Sequence, residues 1–297
     1  MPTEQEILKV IRKIIPNSKK YLFDDAAIIE KDLIVTTDTL VENTHFTLKT
    51  YTSEEIGWKA MAVNLSDIAA MGGNSLYALI SLSLPPDIKI KWIKGFYKGL
   101  TNCSKRYRTQ VIGGNLARAK EVNITITVIG KAHSKYTPAR SNARPGDLVF
   151  VTGTFGNTVT KNYKVKIFPQ INLGQKIIHL TKKAALMDAS DGLADCLIQI
   201  SAQSEVKIIV DEEIIPIPKS LKRVKQKHDT NPINLALYGG EDYQLVGTAS
   251  TIDCKKIQKI KGIKIIGRVV KGKGAFLKHK NNKLVKLDMK KAFKHFS

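Results

Sequence analysis

With 48 Lys and Arg against 26 Asp and Glu, acids are the scarce residues of this chain, and their places are informative. Asp24-Asp25, Asp38, Asp67, Asp188, Asp191 and Glu241-Asp242 sit in short strings of Gly, Ala, Ser, Thr and aliphatic residues with few lysines beside them. A carboxylate in an apolar setting is costly unless it is paired or bound to a cation. Mg²⁺ takes carboxylates, hydroxyls and phosphate oxygens, so the pattern points to a site where several Mg²⁺ ions meet phosphate. Each string alone also has a plainer reading. Asp24-Asp25 fits a turn, Ser66-Asp67 a hydrogen-bonding pair within a helix, Ser190-Asp191-Gly192 an N-cap, and Gly239-Gly240-Glu241-Asp242 a tight turn before a strand. His45 alone reads as a packed or surface histidine. The joint occurrence of these strings carries the inference. No G-x-x-x-x-G-K-[ST] or G-x-G-x-x-G string is present, which excludes a recognisable P-loop or dinucleotide fingerprint.

The elements that must position these acids follow from periodicity. Ile7, Leu8, Ile11, Ile14 and Ile15 lie at helical spacing before Pro16-Asn17, so an amphipathic helix opens the chain. Apolar runs around Ile28 and Ile34, separated by Glu30-Lys31-Asp32, predict a hairpin. Thr52-Ser53 followed by Glu54-Glu55 starts a helix that runs to Gly72-Gly73 and puts Asn64 and Asp67 on one face. LYALISLSL reads as a buried strand ended by Pro85-Pro86, IKWIKGFYKGLTNCSKRY as a helix, TQVIGG as a strand and VNITITVIGKA as an alternating strand. The turn-rich SKYTPARSNARPGD marks a domain boundary, giving domains at 1–137 and 138–297. Beyond it come a strand in LVFVTGTFG, a helix near Gly174 to Thr181, a loop with MDASDG, a helix through LADCLIQIS and the strand VKIIVD. A polar basic stretch then runs to Pro232, with further strands after YGGEDYQLVGT. Helix and strand mix in both halves, which favours α+β over a doubly wound sheet.

At 297 residues, 43% apolar and 25% charged, the composition matches soluble globular proteins and leaves little room for fibrous or disordered readings. No apolar run approaches the ~20 residues that span a bilayer, and charges interrupt the first residues where a secretory signal needs an apolar core. A cytoplasmic location is the expectation. Cys103, Cys196 and Cys254 lie far apart and read as reduced thiols. The net charge of +22 invites a nucleic-acid reading. Between Ser250 and Ser297, however, 15 basic residues against 2 acidic are scattered singly among Ile, Val and Gly, as on a solvated surface, so specific nucleic-acid binding is not expected.

Taken in order, DDAAI, TTDTLVENTHF, GWKAMAVNLSDIAAMGG, GGNLAR, RSNARPGDLVFVTGTFG, MDASDGLADCL and LYGGEDYQL resemble the motif set of the thiamine-monophosphate kinases. These form the ThiL branch of the aminoimidazole-ribotide-synthetase-like (PurM-like) ATP-binding superfamily. The resemblance implies two mixed α/β domains of PurM-like type, the N-terminal one pairing across a two-fold axis into a barrel, and hence a homodimer. It implies ATP-dependent phosphorylation of thiamine monophosphate to thiamine diphosphate by direct in-line transfer, with several Mg²⁺ ions and neither a covalent nucleophile nor a general base. Carried over residue by residue, it makes Asp25, Thr36, Thr37, Asp38, Asp67, Asp188 and Asp191 metal-site residues beside Asp24. Gly114, Arg140 and Ser190 become nucleotide contacts, and His45 and Glu241 part of the thiamine-phosphate pocket. No membrane partner is implied.

The chain departs from the family pattern at four places. Phe23 precedes Asp24-Asp25 where the family has Gly, and the stretch after TGTFGNT is short. Met289 stands where a thiamine-stacking Trp is expected, and Asn115 stands where a metal-binding and nucleotide-side Asp is expected. These departures define an alternative, a nucleotide-binding relative with weak or lost kinase activity.

Overall fold

The computed structural model describes residues 4–288 except 17, 23, 31, 134–135, 182 and 222–230. Phe23, Met289 and most of the basic stretch before Pro232 therefore lie outside the described residues. The opening helix α1 spans Glu4–Ile14, and a short helix α2 spans Ser18–Tyr21. β1 (Ala27–Ile29) and β2 (Leu33–Val41) form the expected hairpin, with Ile28 opposite Ile34. With β3 (Gly73–Leu84), β4 (Gln110–Arg118) and β5 (Asn123–Ala132) they make a five-stranded sheet ordered β1-β2-β5-β3-β4.

Helices α3 (Ser53–Ala70) and α4 (Ile90–Arg106) accompany this sheet. Thr52 caps α3 in a reciprocal box with Glu55, which satisfies amide groups that the first turn leaves open. α3 is buried nearly all round because it also meets α5 (Ile171–Leu180) and β7 (Ala185–Asp188) from the second half of the chain. β3, expected to be buried, instead buries only alternate residues and leaves Tyr77 and Leu79 exposed on the face away from the helices.

Two glycines set the approach of α3 to α4. A Cβ at Gly57 would lie 2.0 Å from the Phe96 carbonyl oxygen, and one at Gly99 1.8 Å from the Glu54 carbonyl oxygen. Gly99→Ala is expected to destabilise the fold by about 3 kcal/mol or more through backbone displacement, read as a lower urea midpoint. An unchanged midpoint would show that the two helices separate freely.

The second sheet has seven strands ordered β12-β11-β8-β10-β6-β9-β7, where β6 is Leu148–Thr152, β8 Lys207–Asp211, β9 Leu245–Ala249, β10 Ile263–Val270, β11 Gly274–Lys278 and β12 Leu284–Lys286. α6 (Leu193–Ser204) packs with α7 (Pro232–Tyr238) beside it, and α8 (Thr251–Ile257) was not anticipated from the sequence. Met187 and Asp188 end a buried strand rather than lying in a loop, because β7 pairs antiparallel with β9. Ile177, Ile178, Leu186 and Leu245 join the apolar core of the first sheet, so the two halves share packing as well as sequence continuity. The three cysteines are buried and free. Among the described residues no helix is long and apolar enough to cross a membrane.

Candidate active site

Five acids from both halves of the chain converge. Asp24 and Asp25 precede β1, Asp38 sits on β2, Asp67 on α3 and Asp188 at the end of β7, and all five line a cavity of about 210 Å³. Alternation along β2 turns Thr36, Asp38 and Leu40 towards the helices, and Asn64 on α3 accepts from the Asp38 amide at 3.0 Å. One turn further along α3, Asp67 accepts a short hydrogen bond from the Thr36 hydroxyl. Thr37 lines the same cavity with its hydroxyl bonded to the Ile126 carbonyl at 3.2 Å.

The electrostatics are those of crowded, dehydrated carboxylates. Burial, reinforced by Asp191 and Asp25, pushes Asp38 up to about 6. Burial also carries Asp67 and Asp188 well above the usual carboxylate range, with neighbouring acids adding to it. Asp25 is raised as well, although Arg140 opposes the shift. Arg140 is the only cationic side chain lining the cavity among the described residues. Its Nη2 reaches Asp25 at 2.6 Å, its Nη1 bonds Gln199, and its backbone amide donates to Asp24 at 2.7 Å.

The donor set fits a hard divalent cation. Asp25, Asp67 and Asp188 each offer a carboxylate oxygen, all within 4.8 Å of one another, and the buried Oδ2 of Asp25 has no hydrogen-bond partner. An orphaned buried carboxylate oxygen among raised acids is the condition a bound cation relieves.

A second cavity of about 510 Å³ adjoins the first and is lined by His45, Phe46, Tyr51, Tyr163, Asp191 and Glu241 among others. Asp38, Ser190 and Tyr243 line both cavities and form their common wall. The His45 ring accepts through Nδ1 from the Val41 amide at 3.0 Å, which folds the loop after β2 back on its strand. Glu241 enters from the turn after α7, where its amide bonds the Ser190 carbonyl. Tyr51 donates its hydroxyl to the Tyr163 carbonyl at 2.6 Å, closing one side of the cavity.

The structure therefore brings together Asp25, Thr36, Thr37, Asp38, Asp67, Asp188, Ser190, Arg140 and Asp24 around one cavity, and His45, Asp191 and Glu241 around the other. Gly114 and Asn115 stand apart. On β4 they pair with Ile80 and Ser81, which places them three strands from Asp38, about 14 Å at strand spacing, on a strand that is exposed throughout. Met289 lies outside the described residues. Periodicity placed Asn64 on the face of Asp67 without assigning it a role, and Lys59, Tyr51, Tyr163 and Tyr243 were not singled out from the sequence. Lys59 alone carried a signal, as a lysine within the apolar run GWKAMAV.

Residues 23–132 match the family described as AIR synthase related protein, N-terminal domain. The chain is 34% identical to a thiamine-monophosphate kinase of Aquifex aeolicus, over 98% of this chain and 97% of that one. It is 37% identical to one of Bacillus subtilis, over 73% and 72% of the two chains. Among solved structures, it superposes on AaThiL complexed with AMPPCP and TMP with a TM-score of 0.88, at 32% identity and covering 99% of this chain and 97% of the other. A hydrogenase maturation complex of HypE with HypF superposes at TM-score 0.80 and 21% identity, a likeness of fold alone.

Proposed function

The chain belongs to the thiamine-monophosphate kinase family and is an enzyme of PurM-like fold, and from that premise we propose that it transfers a phosphoryl group from ATP directly to thiamine monophosphate, giving thiamine diphosphate. The observation that carries this reading is the shared wall. A cavity of acids suited to cations and phosphate opens beside an aromatic-lined cavity large enough for an organic ring system, with Asp38, Ser190 and Tyr243 between them.

In this reading Asp25, Asp67 and Asp188 hold Mg²⁺, with Asp38, Asp191, Thr36 and Thr37 around them. Bound Mg²⁺ supplies the positive charge that lets two polyanions approach. Arg140 and Ser190 face the nucleotide phosphates, and His45 and Glu241 belong to the thiamine half. The acceptor is a phosphate monoester whose second ionisation lies near ~6, so it is largely a dianion at neutral pH and needs no strong base to become a nucleophile. The chain's task is then to orient an in-line pair and exclude water, without a phosphoenzyme.

The proposal includes the division into domains at 1–137 and 138–297, a cytoplasmic site of action and a homodimer. Val35, Ile129 and Tyr77 lie in one register row on the sheet face away from the helices, and Leu79 is exposed beside them. Two such faces covering each other would bury this row and give β4, with Gly114 and Asn115, a setting that one chain lacks. A solution mass of one chain would remove the dimer from the reading.

Incubation of the purified protein with ATP, Mg²⁺ and thiamine monophosphate, followed by ³¹P NMR, is expected to show thiamine diphosphate and ADP appearing together. ATP binding without thiamine diphosphate would favour the nucleotide-binding relative instead. Isotope scrambling into a covalent enzyme phosphate would overturn direct transfer.

A further inference from the structure

Lys59 lies on α3 in an apolar run, with its side chain 4% exposed. Its ammonium donates to the two carboxylate oxygens of Glu241 at 2.7 and 2.9 Å and to the His45 carbonyl at 2.8 Å. An ammonium has three protons, so this geometry uses its full donor capacity. The same group stands 5.5 Å from the centroid of the Tyr51 ring. One buried cation thus ties α3, the loop bearing His45 and, 182 residues away, the turn bearing Glu241.

That turn requires a tie. Gly240, Glu241 and Tyr243 have φ of +69°, +56° and +48°. Residues with a Cβ enter this left-handed region against steric opposition, and they stay there only where their surroundings hold them. The Glu241 amide is held by the Ser190 carbonyl, and Asp242 accepts from the amides of Gly156 and Asn157 at 2.7 and 3.2 Å. Lys59 is the group that fixes the direction of the Glu241 side chain, which otherwise has the whole of the larger cavity in which to turn.

We propose that Lys59 is a positioning residue for the acceptor substrate, holding the Glu241 carboxylate and the His45 loop in the geometry that receives the thiamine half. The inference rests on the reading of the larger cavity as the thiamine monophosphate pocket. Lys59 lines that pocket through its partners and does not line the acid cavity, so its influence should fall on one substrate and spare the other.

Steady-state kinetics on the full chain test it. Lys59→Met keeps the length and apolar stem but removes the ammonium. It is expected to raise KM for thiamine monophosphate at least 10-fold with KM for ATP within 2-fold, and Lys59→Arg is expected to recover most of the loss. Should the methionine variant not fold, Lys59→Gln, which keeps a donor for the His45 carbonyl, carries the same expectation. An unchanged KM for thiamine monophosphate, or an equal rise for both substrates, overturns the proposal. If the wild-type protein makes no thiamine diphosphate, the kinase reading falls on its own, and melting temperatures then decide Lys59. Removing one member of a buried pair harms more than removing both, so Lys59→Met with Glu241→Gln should melt above Lys59→Met alone. Additive losses overturn the tie.

Discussion

Asp67→Asn is expected to lower turnover by about 10³-fold while the metal-free protein stays folded and melts higher than the wild type. The two effects have opposite signs for one reason. Asp67 is buried among Asp38, Asp188 and Asp25, and burial together with those neighbours raises its carboxyl well above the usual range. Without a cation its charge is a burden on the fold. With a divalent cation and phosphates assembled, the same charge is required. One unit charge removed at about 4 Å, in a medium of effective dielectric near 20, amounts to about 4 kcal/mol, which is about three powers of ten in rate. Asparagine keeps the volume and can still accept from the Thr36 hydroxyl, so packing should survive.

The melting temperature in EDTA should rise by about 2 °C or more if about 1 kcal/mol of repulsion is relieved. Turnover within 10-fold of wild type at ordinary Mg²⁺ would remove Asp67 from the metal site. A large drop in melting temperature would make it a structural residue instead.

The sign of the pH dependence follows from the same groups. Asp38 and Asp242 are pushed up to about 6, chiefly by burial, against 3.8 for the ordinary carboxyl, and burial raises Asp67 and Asp188 well above the ordinary range as well. Between the ordinary and raised values the folded chain binds protons that the unfolded chain has released, so stability falls as pH rises. The metal-free protein should melt higher at pH 5 than at pH 8, and the slope should flatten in Asp67→Asn, which lacks one of these titrations.

How much of this was legible in the sequence depends on the distance over which each contact forms. α3 is visible because its cap, its apolar run and its terminal glycines are local, and Asn64 and Asp67 share a face by helix geometry alone. The hairpin of β1 and β2 and the alternation of β5 are local in the same way. The convergence of Asp25, Asp67 and Asp188 was suggested by composition, since acids are scarce and these lie among small and apolar residues, but only the fold places them within 4.8 Å. The pairs Lys59–Glu241 and Arg140–Asp25 join residues 182 and 115 positions apart, and no periodic pattern encodes them. Asn115 illustrates the converse. The resemblance of GGNLAR to the family motif sets it beside the acids, whereas strand order carries it to the far edge of the sheet, because β5 and β3 intervene.

Arg140→Met is expected to destabilise the metal-free protein by roughly 3–5 kcal/mol, and Mg²⁺ should restore part of it. Among the described residues Arg140 is the one cation beside five carboxylates in the acid cavity. Its bond to Asp25 is largely withdrawn from solvent, at 13% and 2% side-chain exposure. Methionine fills much of the space but leaves Asp25 without its charge partner and Gln199 without its donor. Burial already raises Asp25 in spite of Arg140, so without the guanidinium its carboxyl should rise further. The folded variant would then hold that proton to higher pH, and its stability would fall more steeply than the wild type's as pH rises, so that the deficit is greatest near pH 8 and shrinks near pH 5. Arg140→Lys separates charge from shape. A lysine keeps a cation near Asp25 but cannot also reproduce the forked contact with Gln199, so an intermediate melting temperature is expected. Melting curves in EDTA at pH 5 and pH 8, repeated with Mg²⁺, decide the matter. A deficit independent of pH, or a melting temperature in EDTA at pH 8 equal to that of the wild type, would show that Arg140 does not balance the acids.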